Sequence, residues 1–333
     1  MIKWFIKSGM FMQGAVFVMM LAALWIPAFI HPLAPVTSKL DGPFYEFIAK
    51  WTATVPGMGA AIAVILILVQ SLLMYGICQA KSFFGRQNFL PAIVVMLSYS
   101  WNDSYLTLHP MLFSGVFVLI TVQALLSILE KQAAYQEMFI AAFCIAIAAL
   151  FFIPLTYFIL FLWLTLITYR TFFWREFTIS VIGFSVPFVY YASWLLWFDG
   201  FTVGAERFIN SLFQWVLPAS VELDNTIWLI ASTFIAFITV VSVLNTMNDK
   251  TINVRRRAWV FFNLAFVSLI AIGLTGWPII SANYLFVVPM AFFITGGIAF
   301  VKRSFLTDIL LVAYFLLFVL LQVYNALLLP LLA

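Results

Sequence analysis

Long apolar runs, separated by short polar segments, follow one another along almost the whole chain. Continuous runs of about 18 or more apolar residues can cross a hydrocarbon core of roughly 30 Å as helices, whereas membrane β-strands alternate over about ten residues. The pattern therefore predicts an all-α, polytopic transmembrane helical bundle. The predicted membrane helices are residues 10–30, 57–79, 89–101, 111–129, 177–197, 226–247, 258–276, 279–301 and 305–328.

One further apolar run, residues 139–169, is interrupted by Pro154. A single crossing would place the charges that flank this run on opposite sides of the membrane. We therefore predict a hairpin of two short helices, 139–152 and 154–169. The total is about 11 helical segments, including short half-helices, in a single transmembrane domain over residues 1–333 with no soluble domain.

Composition supports a membrane protein. Hydrophobic residues make up 65% of the 333 residues and charged residues only 8%, whereas soluble domains carry about 25% charged residues. Such a chain has too little polar surface to cover a soluble globule of this length.

The distribution of basic residues predicts the orientation. Lys and Arg near helix ends are biased towards the cytoplasm, and with the N-terminus inside, all but three of the 16 basic residues fall on the inner side. The exceptions are Lys39, Lys50 and Arg207. We expect a protein of the cytoplasmic (inner) membrane with its C-terminus on the outer face. This topology accounts for the net charge of +4, and we expect no nucleic-acid partner.

A half-polar segment, residues 39–51, lies between the first two apolar runs. Its apolar residues recur at i, i+3, i+4 and i+7, which is typical of an amphipathic helix. They are Phe44, Phe47, Ile48 and Trp51. We expect this helix to lie flat on the outer membrane surface, and a second such stripe over residues 208–216 to do the same.

Two acids belong to the first amphipathic segment. Asp41 precedes a Gly-Pro pair at the start of the helix, which makes it a good helix N-cap; a carboxylate at headgroup level can equally serve as a chemical group. Glu46 and Lys50 stand at i and i+4, and we expect an exposed ion pair worth roughly 0.3 kcal/mol.

Two further residues of the outer face are candidates for a site. Asp103, in an Asn-Asp-Ser segment, is either a turn residue or a second acid facing the same cavity. Arg207 is the only arginine predicted on this face, and it can clamp a phosphate through two parallel hydrogen bonds. Its alternative is to pair with lipid phosphates in general or with a nearby acid, namely Glu206, Glu222 or Asp224.

Several functional classes are disfavoured. The chain has no Walker loop, no Gly-x-Ser-x-Gly and no His-Glu-x-x-His, which argues against an ATP-driven pump or a zinc protease. No ionisable residue lies in the middle of a predicted span, which argues against proton-coupled transport. His109 precedes a proline at an outer helix border, where we expect an interfacial turn residue or a substrate contact.

The order of these parts resembles the GT-C class of polytopic glycosyltransferases, which take sugars from polyprenyl-phosphate carriers at the outer membrane face. The similarity covers about the first 200 residues. It is carried by the segment Leu-Asp-Gly-Pro-Phe-Tyr-Glu-Phe at 40–47, directly after the first span, and by the short paired helices between 90 and 170. Residues 201–333 would be additional helices. The chain also resembles a bacterial family of multi-pass membrane proteins from which no activity follows.

In the GT-C class an acid early in the first external loop acts as the base. A second acid, between the third and fourth helices, helps to hold a metal ion or the phosphate. The resemblance assigns these roles to Asp41 and Asp103. The paired acids that many members carry in the first loop are missing here, because Asp41 is followed by Gly-Pro.

The resemblance thus implies a membrane enzyme that uses a polyprenyl-phosphate-linked sugar, with membrane lipids as its surroundings and a divalent cation as a candidate cofactor. Arg207, Glu46 and His109 would then contact the substrate. Two alternatives stay open: a non-enzymatic assembly or scaffold subunit, and a transporter of lipids or small solutes.

Overall fold

The computed structural model describes residues 9–81, 83–84, 88–100, 106–131, 134–169, 174–198, 200–213, 234, 237–241, 243–245, 252–275 and 284–300. Within these ranges the chain forms helices and loops and no β-strand. The α-helices are α1 (Met10–Ile30), α2 (Pro43–Thr52), α3 (Met58–Ala80), α4 (Leu90–Tyr99), α5 (Pro110–Ile128), α6 (Tyr135–Phe151), α7 (Ile159–Tyr169), α8 (Trp174–Trp197), α9 (Phe201–Phe213), α10 (Ile252–Thr275) and α11 (Val287–Phe300). Two 3-10 helices, Ile153–Phe158 and Tyr284–Phe286, precede α7 and α11.

Several of these helices fit a multi-pass membrane protein. In the described part of the chain, five are long and apolar enough to cross a membrane, namely α1, α3, α5, α8 and α10. The others that are strongly apolar, such as α4 and α6, are shorter. The predicted span 305–328 lies outside the described residues, and so does most of the predicted span 226–247.

The helix bounds follow local chemistry. Helix α1 has the predicted bounds, because its apolar run is flanked by Gly9 and by a His-Pro pair. Helix α3 begins after Gly57, whose φ of 78° is left-handed and favours glycine. Helix α5 carries Pro110 in its first turn, where the missing N–H costs nothing. Helix α8 begins at Trp174, three residues before the predicted start.

The run interrupted by Pro154 folds as a hairpin. Helix α6 begins beside Lys131, which pairs with Glu137, and ends where the Gly42 N–H donates to Phe151 O at 2.8 Å. The chain then turns through the first 3-10 helix, and α7 returns until Tyr169 lies within electrostatic reach of Arg257. The turn therefore lies at the opposite end of the bundle from both termini of the hairpin.

Contacts between loops define two ends of the bundle. At one, the Lys81 end, Glu130 Oε1 lies 2.6 Å from Lys81 Nζ and 2.9 Å from an Arg257 nitrogen. At the other, the Asp41 end, the Val36 N–H donates to Leu108 O at 3.0 Å. The basic loops predicted to share one side of the membrane thus meet at one end.

The centre of the bundle is occupied by a short helix. All ten residues of α4 are buried, and it packs against α1, α3 and α11. Helix α8 lies at the periphery and exposes a long apolar face that includes Val189, Trp194 and Leu196. A lipid-facing helix has this burial pattern, because only one of its sides contacts protein.

Candidate functional site

The amphipathic helix α2 rests on the Asp41 end of the bundle. It buries Tyr45, Ala49 and Thr52 against the protein, while Phe47 and Trp51 are 77% and 57% exposed. The predicted apolar stripe is therefore the outward face, where lipid can cover it. This is the arrangement expected of a helix in the membrane interface.

Tyr45 fastens α2 to the neighbouring loops. Its hydroxyl lies 2.6 Å from Val36 O and 2.8 Å from Leu108 O, and the side chain is fully buried. Burial raises the pKa of Tyr45 far above its usual range, so the hydroxyl stays protonated and remains a donor. The loops that precede α2 and α5 are thereby tied to one helix.

Gly42 brings the loop before α2 against the turn of the hairpin. Its N–H donates to Phe151 O at 2.8 Å, and the Ile153 N–H donates to Leu40 O at 3.1 Å, so Asp41 and Phe152 form an isolated β-bridge. A Cβ on Gly42 would lie 2.0 Å from Leu150 O. Only glycine permits this approach of the two backbones.

The predicted N-cap role of Asp41 is wrong. Gly42 is the N-cap of α2, and no side chain caps the helix. The Asp41 carboxylate turns back along the chain instead and accepts hydrogen bonds from the Ser38 N–H and the Ser38 hydroxyl, both at 2.6 Å. The reason is that the bridge to Phe152 fixes the backbone at this point, so the carboxylate satisfies the preceding turn.

Asp41 is a buried acid that titrates close to neutrality. The residue is only 2% exposed, and the pKa of Asp41 is raised from 3.8 to about 6, chiefly by this burial and to a lesser extent by the charge of Glu46. The hydrogen bonds from Ser38 and the charge of Arg207 act in the opposite direction and limit the rise. A carboxyl group with this pKa can accept and release a proton near physiological pH.

Glu46 and Arg207 form an ion pair between α2 and α9. The Arg207 guanidinium donates two parallel hydrogen bonds to the Glu46 carboxylate, one of them 2.8 Å long. The predicted pair of Glu46 with Lys50 is therefore wrong, because Glu46 faces α9. The partner of Arg207 also differs from the predicted acids, Glu206, Glu222 and Asp224. Glu46 lies 161 residues away along the chain, so its spacing to Arg207 gave no indication of this contact.

Clefts of different sizes meet at Arg207. A small cavity of about 30 Å³ has Asp41, Arg207, Tyr191 and Phe208 in its lining. An open cleft of about 730 Å³ is lined by Glu46 and Arg207 together with Ser38 and the basic residues Lys39 and Lys50. The structure thus brings three of the predicted site residues, Asp41, Glu46 and Arg207, to one place.

His109 does not line either of these clefts. Its ring is buried and stacks on Tyr284 with ring centres 4.3 Å apart, and Tyr99 lies next in the stack. The expectation of an interfacial turn residue is wrong, because the stack draws the ring into the bundle. Burial lowers the pKa of His109 to about 3, so the ring is neutral, and its Nδ1 has no hydrogen-bond partner among the described residues.

Some parts of the prediction stay open or incomplete. Asp103 lies outside the described residues. Within the described ranges, no three His, Cys, Asp or Glu side chains come together as ligands for a metal ion. Ser38 and Tyr191 were missed; the position of Ser38 three residues before Asp41 could have indicated a side-chain turn, whereas nothing in the sequence points to Tyr191.

No family model, curated protein or solved structure matches this chain. Fold and geometry alone therefore describe the protein: its helices fit a multi-pass membrane protein, and a polar cleft lies beside the amphipathic helix α2.

Proposed function

We propose that the protein is a membrane enzyme that transfers a sugar from a lipid-linked phosphate carrier, with Asp41 as its base. The observation that carries this proposal is the buried Asp41 carboxyl group, with a pKa near 6, beside the Arg207 guanidinium in one cavity. A carboxyl group with a raised pKa, next to a cation at the membrane interface, combines a proton acceptor with a phosphate-binding group.

Each residue has a defined role in the proposed reaction. Asp41 removes the proton of an acceptor hydroxyl as the hydroxyl oxygen attacks the anomeric carbon of the sugar. The bond from that carbon to the phosphate oxygen breaks, and the oxygen leaves with the electron pair. Arg207 stabilises the charge that develops on the leaving lipid phosphate. Asp103 remains the candidate for a second acid.

Glu46 holds Arg207 ready for the phosphate. A guanidinium group has five N–H donors, and the Glu46 carboxylate takes two of them. The Arg207 side chain is 54% exposed, so the pair is worth at most about 1 kcal/mol. A substrate phosphate can therefore join or replace Glu46 at little cost, and movement of Arg207 would widen the small cavity for a sugar.

The proposed location of this chemistry is the outer face of the cytoplasmic membrane. Support comes from the positive-inside rule, since Lys81, Lys131 and Arg257 meet at the opposite end of the bundle. A polyprenyl-linked donor would place its lipid in the bilayer beside Phe47 and Trp51, the exposed apolar residues of α2.

A non-enzymatic assembly subunit is the second candidate. It is favoured by the fact that the polar groups of the cleft already have partners: Ser38 satisfies Asp41, and Glu46 satisfies Arg207. A surface that only docks another protein needs no further ligand at these groups.

The substitution Asp41→Asn distinguishes the two candidates, because the amide keeps the shape of the carboxyl group but cannot act as a base. Glu130→Gln is the matched control, since it makes the same change of a carboxyl group to an amide at an exposed residue of the opposite end of the bundle. The proposal predicts that cells with Asp41→Asn lose specific envelope glycans or glycolipids while cells with Glu130→Gln keep them. Unchanged glycans in both strains, at normal expression, would remove the catalytic claim and favour the assembly subunit.

A further inference from the structure

A second cleft lies at the Lys81 end of the bundle, far along the helices from the Asp41 site. It has a volume of about 400 Å³ and is formed between α3, α5 and α6. Ligand sites typically have volumes of about 300–1,000 Å³. We call this cleft the Lys81 groove; it is lined by Gly76, Ile77, Ala80, Lys81, Ile120, Gln123, Ala124, Leu126, Ser127, Glu137 and Ile140.

The groove is apolar along its length and charged at its mouth. Ile77, Ile120 and Ile140 come from three different helices and form its apolar walls. Lys81 and Glu137 lie at the helix ends that open towards the loops. This arrangement matches a phospholipid: the charged mouth suits its polar headgroup, and the apolar walls suit its acyl chains.

The surroundings of the mouth are predominantly basic. Six basic residues belong to the same end of the bundle as the three acids Glu130, Glu137 and Glu176, which leaves an excess of positive charge. The basic residues are Lys81, Lys131, Arg175, Arg255, Arg256 and Arg257. Basic pockets between membrane helices at this side of a protein bind anionic lipid headgroups.

Gln123 identifies the depth at which polar atoms are required. Its side chain is exposed in the groove, and it makes no hydrogen bond to any described residue. It lies five residues before the end of α5 at Ile128, or about 7.5 Å along the helix axis. An amide without a partner is costly in hydrocarbon, and the ester carbonyl of a phospholipid is the acceptor found at that depth.

We propose that the Lys81 groove binds an anionic phospholipid with a hydroxyl-bearing headgroup, such as phosphatidylglycerol. Lys81 Nζ has three N–H donors, of which Glu130 accepts one, and it binds the lipid phosphate. The headgroup hydroxyls donate to the Glu137 carboxylate. The Gln123 amide donates to an ester carbonyl, and one acyl chain follows the three isoleucines. This site is separate from the proposed sugar transfer and does not depend on it.

Gly76→Leu fills the groove without disturbing the protein, because a Cβ at Gly76 has no atom within 4 Å. Gly273→Leu is the matched control, since Gly273 is also an exposed helical glycine with an open Cβ position but does not line the groove. Both variants retain the charges of the Lys81 end, so a difference between them reports on the groove itself.

The thermal midpoint of the purified protein in non-ionic detergent is measured during titration with short-chain phosphatidylglycerol. We expect a saturable rise for the wild type and for Gly273→Leu, and its loss for Gly76→Leu, because a ligand stabilises only the state that binds it. Lys81→Gln should lower the affinity for phosphatidylglycerol about fivefold. A basic residue contributes on the order of 1 kcal/mol to the binding of an anionic lipid, and a tenfold change in affinity corresponds to about 1.4 kcal/mol.

Short-chain phosphatidylcholine and inorganic phosphate are titrated separately as comparison ligands. The proposal is overturned if either gives the same rise as phosphatidylglycerol, or if the wild type shows no rise. It is also overturned if Gly76→Leu keeps the full rise or if Gly273→Leu loses it.

Discussion

The burial of Asp41 predicts that its replacement by Asn stabilises the folded protein at neutral pH. The carboxylate pays a desolvation cost that the Ser38 hydrogen bonds only partly offset, which is why the pKa of Asp41 is raised. Asn can occupy the same position, because its oxygen can accept from the Ser38 N–H and its NH₂ can donate to the Ser38 hydroxyl. A base that lowers the stability of its own protein is expected at a functional site.

The pKa of Asp41 sets the size and the pH range of this effect. The pKa of Asp41 is 3.8 in the unfolded chain and about 6 in the folded protein. A difference of one pKa unit corresponds to about 1.36 kcal/mol. A raised pKa means that the folded state binds the proton more tightly, so the stability that the protonated group provides is complete below pH 3.8 and is lost as the pH rises through about 6. The loss amounts to about 1.6 kcal/mol at pH 5 and about 3 kcal/mol at pH 7.5.

The assay is the free energy of unfolding of the wild type and of Asp41→Asn in detergent, compared at pH 5 and pH 7.5. We expect the advantage of the variant to grow by about 1.4 kcal/mol between these two pH values. A difference that does not depend on pH, or an advantage of the wild type that grows towards pH 7.5, would refute the reasoning, because it would mean that Ser38 and Arg207 outweigh the burial.

Three further substitutions test the supports of the site by thermal unfolding. Gly42→Ala should lower the free energy of unfolding by about 2–3 kcal/mol, because the new Cβ would lie 2.0 Å from Leu150 O. Gly9→Ala is the control and should change the stability little, because no atom lies near its Cβ position. Equal effects of the two substitutions would contradict the close approach at Gly42. Tyr45→Phe should lower the free energy of unfolding by about 1–2 kcal/mol through the loss of a hydrogen bond from a buried hydroxyl. An unchanged stability would show that this hydrogen bond does not stabilise the position of α2. Glu46→Gln should cost at most about 1 kcal/mol at low salt and nothing at high salt, so a large, salt-independent loss would contradict a half-exposed ion pair.

The features that the sequence predicted well are those decided within a single segment. Helix α1 has the predicted bounds because one continuous apolar run ends at strong helix-terminating residues on both sides. The apolar stripe of α2 faces outwards as its spacing predicted, since the period of a helix fixes which residues share a face. The break at Pro154 correctly indicated a turn between two short helices.

The features that the sequence could not predict depend on distant parts of the chain. The partner of Arg207 is Glu46, and no local spacing connects residues of α9 and α2. Asp41 has the sequence context of an N-cap, but the backbone bridge to Phe152 turns its carboxylate towards Ser38. His109 has the context of an exposed turn and is buried only because Tyr284, far along the chain, stacks on it.

The most direct test of the proposed function is a density map of the protein in lipid nanodiscs with an added polyprenyl-phosphate-linked sugar. The account predicts that the phosphate lies within hydrogen-bond distance of the Arg207 guanidinium and that the sugar lies beside Asp41, with the small cavity between them widened. A headgroup bound elsewhere, with the pair of Glu46 and Arg207 closed and the cavity still about 30 Å³, would contradict it.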